Sequence, residues 1–424
     1  MAFEYKPKHL AVPADDDQPP ENAEHMGRRF GLVMKVYGVL AIVSGVQNVV
    51  TYAVATFFLG ALAKYGWALE HFSTVTVVVF VATAVLLLGN AAAQVALGIR
   101  LLRGKNRRVA LACELMGTLQ GLLIVCYFML EGLSANVFSS IASIIFLAIL
   151  QTYADPSLRR ERNDAREASD LQNKEDQEAG TLGRDKTGEG YLRIDFFNTF
   201  WIFTVSCVVG LILEVIWHMT VVDPGVYQDR AGLLYGPFSP IYGFGAVIIT
   251  IALNRLWKSN LLVQFLVAAV IGAGFEYAVS YWMEFSFGIT AWDYSNYTLM
   301  GTDIPDPIAV MCDGRTSTMF LIIWGILGIV WLRMAMPLLL RLINRIPWNW
   351  RYTVTAVCAA LMLVDCGLTV ASYDCWYQRQ AGTMDQKEQT AIDKFCNEHY
   401  DDAFMTARFQ SMTMNPENAT RMQE

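Results

Sequence analysis

Residues 200–217 read FWIFTVSCVVGLILEVIW, an apolar run interrupted by a single acidic side chain, Glu214. Its length suits a bilayer-crossing α-helix, which needs ~20 residues at 1.5 Å each to span roughly 30 Å of hydrocarbon. The run is continuous rather than alternating, which excludes a β-barrel strand. A carboxylate at this depth must pair, face a wet cavity or hold a proton. Glu214 therefore poses the functional question, and the apolar residues around it decide the fold.

The span itself is read as 201–221, and comparable runs recur along the chain, at 31–62, 72–99, 109–130, 137–153, 239–256, 261–283, 316–337 and 352–372. The 424 residues are 54% hydrophobic and 17% charged, a balance that soluble domains of this size rarely show. These features predict an all-α, polytopic helical membrane protein with about nine transmembrane helices. They fall into two units, four helices and then five. The expected organisation is a disordered cytoplasmic tail (1–27), a four-helix unit (28–154), a charged cytoplasmic linker (155–195), a five-helix unit (196–373) and a polar C-terminal tail (374–424).

Arginine and lysine set the orientation. Arg28 and Arg29 precede the first span, and Arg100, Arg103, Lys105, Arg107 and Arg108 crowd the second connection, which predicts a cytoplasmic N-terminus. An odd span count then leaves the C-terminal tail outside. Cys375 and Cys396 would lie together on that side and are candidates for a disulfide across the tail. Membrane lipid is the expected surroundings. The net charge of −7 excludes nucleic acid as a partner.

Within the second unit, two hairpins correspond. The outgoing helices carry GLILE (210–214) and GAGFE (272–276), each a glycine one helical turn before a glutamate. The returning helices begin near DRAG (229–232) and DGRT (313–316) and continue to PIYGFG (240–245) and IIWGILG (322–328), each with an aromatic-glycine step. Glu214 and Glu276 lie roughly 20 Å along their helices, within reach of Arg230 and Arg315 respectively. Two Glu/Arg pairs lining a polar cavity are the functional reading, and two structural clamps are the alternative.

The stretch RAGLLYGPFSPIYGFG (230–245) joins the first hairpin. Pro237 and Pro240 suit the first turn of a helix starting near Ser239, where a missing N–H costs little. Gly236, Gly243 and Gly245 allow close approach of a neighbouring helix or a ligand. In the second hairpin's loop, FGITAWDYSNYTLMGTDIPDPIAVMCDGR (287–315), Trp292, Tyr294 and Tyr297 suit an interfacial belt; the alternative is that they line, with Asp293, Asp303, Asp306 and Asp313, the mouth of a site for a cation or sugar-like solute. No phosphate loop, H-E-x-x-H, C-x-x-C or G-x-S-x-G occurs, which removes the most recognisable ATPase, metalloprotease, redox and hydrolase readings. No metal site or cofactor is expected, and no catalytic residue is assigned.

Across 195–347, the segments FWIFTVSCVVGLILEVIW, RAGLLYGPFSPIYGFGA, GAGFEYAVSYWMEFSFG, WDYSN and DGRTSTMFLIIWGILGI resemble the ABC-transporter type IV family, the CmpB-like membrane proteins. The resemblance implies a bacterial plasma-membrane permease that moves an unidentified small solute with a separate ATPase subunit. It marks Glu214, Arg230, Gly236, Pro237, Pro240, Tyr242, Gly243, Glu276, Trp292, Asp293, Tyr294 and Arg315 as the family-like positions. A membrane-embedded enzyme acting on lipid or cell-wall precursors and a non-transporting assembly or regulatory protein are the other classes compatible with the residues.

Overall fold

A computed structural model describes residues 21–64, 73–103, 109–153, 174–179, 183–185, 188–299, 302–346, 348–386 and 388–421. It is almost wholly helical. Seven helices are long and apolar enough to cross a membrane, and Ala135–Gln151 and Pro240–Asn254 are shorter apolar helices. Together these match the nine expected runs, and they define a multi-pass membrane protein. Side chains such as Ile216, Val270 and Leu361 remain exposed at 53%, 66% and 66%, the outward apolar face that lipid covers. The start of the expected N-terminal tail and residues 155–173 of the expected linker lie outside the described residues.

The chain divides into two compact units. The first comprises 1–70, 82–123 and 139–159; the second comprises 71–81, 124–138 and 160–424. Helices α1 (Glu21–Lys64), α2 (Thr74–Leu102), α3 (Val109–Glu131) and α4 (Ala135–Tyr153) supply the first unit and send the ends of α2, α3 and α4 into the second. In the first unit, Gly38, Gly45 and Gly98 let α1 and α2 cross backbone against backbone, as small residues do in lipid. Leu97, Val109, Cys113 and Leu147 fill its core, and Gln151 donates to Glu114 at 2.7 Å.

The second unit is built from α5 (Phe196–Trp217), α6 (Pro240–Asn254), α7 (Leu261–Phe287), the short α8 (Pro307–Met311), α9 (Thr318–Val330), α10 (Met336–Ile343) and α11 (Trp348–Gln380). Single π-helical turns extend α5 to Val222 and join α9 to α10. Asp195, Asn260 and Ser317 cap α5, α7 and α9 by accepting a backbone N–H within the first turn. At the end of the bundle near Arg255, the expected linker is partly folded onto the unit. Leu192 is buried, and the Asn254 side chain both accepts from and donates to the Leu192 backbone at 2.8 Å.

The duplication is written into the packing. Phe203, Gly210 and Glu214 on α5 have the same spacing as Phe265, Gly272 and Glu276 on α7. A side chain at Gly210 would overlap Tyr242, and one at Gly272 would overlap Trp324. One residue further along each returning helix, Gly243 accommodates Phe203 and Gly325 accommodates Phe265. Each hairpin therefore closes by two reciprocal aromatic-on-glycine contacts, with the same residue types in the same order.

The segment between α5 and α6 is not a rim turn. Ser239 N donates to Cys207 O in the middle of α5, so the loop descends along the bundle before α6 starts. Non-helical backbone at such depth must be satisfied by protein. Helix α11 does this with side chains one turn apart: Thr369 accepts from Leu234 N at 3.0 Å and Asp365 from Tyr235 N at 3.1 Å. Pro240 occupies the first helical turn as expected, whereas Pro237 lies outside the helix and precedes the Ser239 cap. Gly236 takes a left-handed φ of 69°, and Gly245 lies against Trp324. Substituting Asp365 with alanine would orphan the Tyr235 N–H, for an expected loss of about 1–3 kcal/mol. Asp365→Asn keeps an acceptor, so thermal melting in detergent should place it nearer wild type than Asp365→Ala.

The C-terminal residues form a cap, not a loose tail. Helices α12 (Ala391–His399) and α13 (Asp402–Arg408) follow α11, and strand β2 (Thr413–Met414) pairs antiparallel with β1 (Ile289–Thr290), just beyond α7. Arg408 donates to Leu233 O, Gly236 O and Asp229, holding the descending loop from above. The cap core joins Cys396, Tyr400, Met405 and Phe409 to Phe287, Ile289 and Tyr373. Cys375 and Cys396 both reach this core and are brought together there, as free, buried thiols that interact with each other, and the Cys375 thiol also donates to Asp393 Oδ1.

Candidate functional site

Five predicted residues converge at the end of the bundle opposite Arg255. Arg230 Nε donates to Glu214 Oε1 at 2.7 Å, and its Nη1 donates to Gln228 Oε1. The Tyr242 hydroxyl interacts with Glu214 and lies within the electrostatic reach of Arg230 and Glu276. Glu276 Oε1 accepts from the Tyr294 hydroxyl at 2.9 Å. Both glutamates act on each other electrostatically across the two hairpins. The cluster thus holds one paired carboxylate, partly accessible, and a second that is only 4% exposed.

The expected Glu276/Arg315 pair does not form. Arg315 instead contacts Glu284, two turns further along α7, donates to Ser280 Oγ and lies 5.4 Å over the rings of Tyr281 and Phe285. The guanidinium thereby stays nearer the loop end, where a paired charge is less desolvated than it would be beside Glu276. Neutral donors replace it. Thr316 Oγ1 donates to Glu276 Oε2 at 2.9 Å, and Trp324 Nε1 donates to the same oxygen at 3.4 Å.

Two loop motifs fold together to deliver these donors. Tyr294 N donates to Gly314 O and Trp292 Nε1 to Arg315 O, so WDYSN is laid on DGRT. Gly314 has a φ of 70°, and a side chain there would strike Asp293, which itself accepts from Ser295 N at 2.8 Å. Trp292 and Asp293 therefore build the loop and do not join the cluster. Burial, followed by the Glu276 charge, pushes the Tyr294 hydroxyl well above its ordinary value and keeps it a donor. Sequence reasoning missed Thr316 and Trp324 as Glu276 partners; Trp324 was legible as the counterpart of Tyr242 in the aromatic-glycine step.

Asp306 holds the same loop to α9. It accepts from Ile308 N, Ala309 N, Thr318 N and Thr318 Oγ1. Burial pushes its carboxyl up, but these four hydrogen bonds outweigh burial and hold it below its ordinary value. Because the folded value is the lower one, the resulting stability is complete above the unfolded carboxylate's value and is lost as pH falls through the folded value. Asp306→Asn should flatten that acid limb in melting curves recorded against pH.

The architecture is that of a multi-pass helical membrane protein whose second unit contains a duplicated hairpin with one buried and one partly buried carboxylate. A family model described as "Putative ABC-transporter type IV" matches residues 201–370, in the C-terminal half, which takes in α5 to most of α11 and the whole cluster. The first unit and the cap lie outside that match. No curated protein and no solved structure matches the chain.

Proposed function

We propose that the second unit is a permease, or the permease-like subunit of a transport complex, and that the Glu214/Arg230/Tyr242/Glu276/Tyr294 cluster is its solute site. The observation that carries this reading is the placement of an ion pair and a second carboxylate together inside an apolar helical bundle, within the family-matched segment. Intramembrane ionisable groups that converge in this way are expensive and serve solute or ion pathways by default. The N-terminus lies in the cytoplasm, so the site and the cap face outward; a separate ATPase subunit is the partner that the family match suggests.

Glu214→Gln removes the charge that holds Arg230 while keeping the side chain's shape. In cells or vesicles with equal membrane levels of the protein, it should change solute uptake or export by at least tenfold, and Arg230→Ala should do the same. Equal loss of protein from the membrane in both variants would make the pair a clamp and sink the reading. Purification in mild detergent followed by identification of any co-purifying ATPase tests the partner separately.

A further inference from the structure

The two hairpins are alike in packing and unlike in charge. Glu214 meets a guanidinium, whereas the equivalent Glu276 meets only neutral donors, and no cationic side chain pairs with it among the described residues. The groups facing it are Glu214 from α5, committed to Arg230; Tyr242 from α6; Tyr294 and Tyr297 from the loop after β1; Thr316; and Trp324 from α9. Arg315 is committed to Glu284. We propose that Glu276 is a proton-binding site, its carboxylate taking up one proton where its counterpart holds an arginine.

The hydrogen bonds assign the oxygen. Oε2 accepts from both Thr316 and Trp324, and an indole N–H can only donate, so Oε2 is the oxygen that remains an acceptor. Oε1 has a single partner, the Tyr294 hydroxyl, which both donates and accepts. On protonation, the new O–H on Oε1 donates to Tyr294, whose own hydrogen rotates away. The step adds one proton to one carboxylate and needs no other reactant. Tyr294 is the positioning residue and the first relay, with Tyr297 packed edge-on at 5.0 Å behind it.

For its purpose this proposal rests on the transport reading, but its measurement needs neither solute nor partner. Infrared spectra of the purified full chain are recorded across a pH titration in H2O and D2O. Wild type should show a carboxylic-acid carbonyl band that persists at neutral pH, moves in D2O and is lost in Glu276→Gln. Glu214→Gln and Asp365→Asn should retain it, and Tyr294→Phe should shift its frequency by removing the Oε1 partner. Absence of such a band from wild type overturns the proposal, as does its survival in Glu276→Gln. If Glu276→Gln does not fold, the band's shift in Tyr294→Phe assigns it to Glu276, and a band unmoved by Tyr294→Phe overturns the proposal. A change in uptake without a change in the band would defeat the proton site and leave the transport reading standing.

Discussion

Replacing Arg421 with alanine is expected to destabilise the detergent-purified protein by about 3–5 kcal/mol, the range for stripping one partner from a buried ion pair. Arg421 Nη1 lies 2.6 Å from Asp374 Oδ1, and the two side chains are only 6% and 4% exposed. Arg421 also donates through Nε to Ser286 O at 2.7 Å and stacks 4.0 Å from the Tyr377 ring. Its neighbour Thr420 donates to Met129 O and Phe285 O, so the end of the cap is fastened to α3, α7 and α11 at once. Asp374→Ala alone should cost a similar amount, because it leaves the guanidinium unpaired. The double variant should cost clearly less than the sum of the singles, and an additive result in thermal or denaturant melting would refute the coupling.

Gly272→Ala should cost about 1–3 kcal/mol, the usual penalty for overpacking a filled site. Its added methyl would overlap Cβ, Cγ and Cδ2 of Trp324, the root of a large side chain that cannot swing clear. Moving Trp324 would also loosen the Nε1 contact to Glu276, so the loss should extend to function. Gly274, two residues along the same helix, has open space where a methyl would go. Gly274→Ala should therefore be neutral, or gain up to about 1 kcal/mol from helix propensity. Comparable melting losses at Gly272 and Gly274 would show that the close approach does not matter. Gly210→Ala, which strikes Tyr242, should repeat the Gly272 result in the other hairpin.

Much of this was legible in the residues because lipid imposes simple length and polarity rules. The nine apolar runs, the Gly-x-x-x-Glu repeat and the aromatic-glycine step follow from helical spacing, and the Glu214/Arg230 contact from the end of the bundle that both residues share. The partner of Glu276 was not legible. Arg315 and Thr316 are adjacent, and backbone direction after the left-handed turn at Asp313 and Gly314 decides which of them points at α7's carboxylate and which runs along the helix to Glu284. The descending loop was hidden for a related reason. Its backbone is satisfied by Asp365 and Thr369, more than a hundred residues later, and no local pattern encodes that distance. The cap looked like a tail because its sequence is polar, although Cys396, Met405 and Phe409 are each at most 1% exposed.

The descending loop also constrains how the second unit can move. It is held from α11 by Asp365 and Thr369 and from the cap by Arg408, while Arg421 ties the cap back to α11 through Asp374. Those attachments close a mechanical circuit, so the loop cannot swing as a hinged flap without breaking bonds at two places. Any rearrangement at this end of the bundle must leave that circuit whole. The same cap is bonded to the end of α7 through Phe285 O and Ser286 O, so the loop, α11, the cap and α7 are joined into one frame.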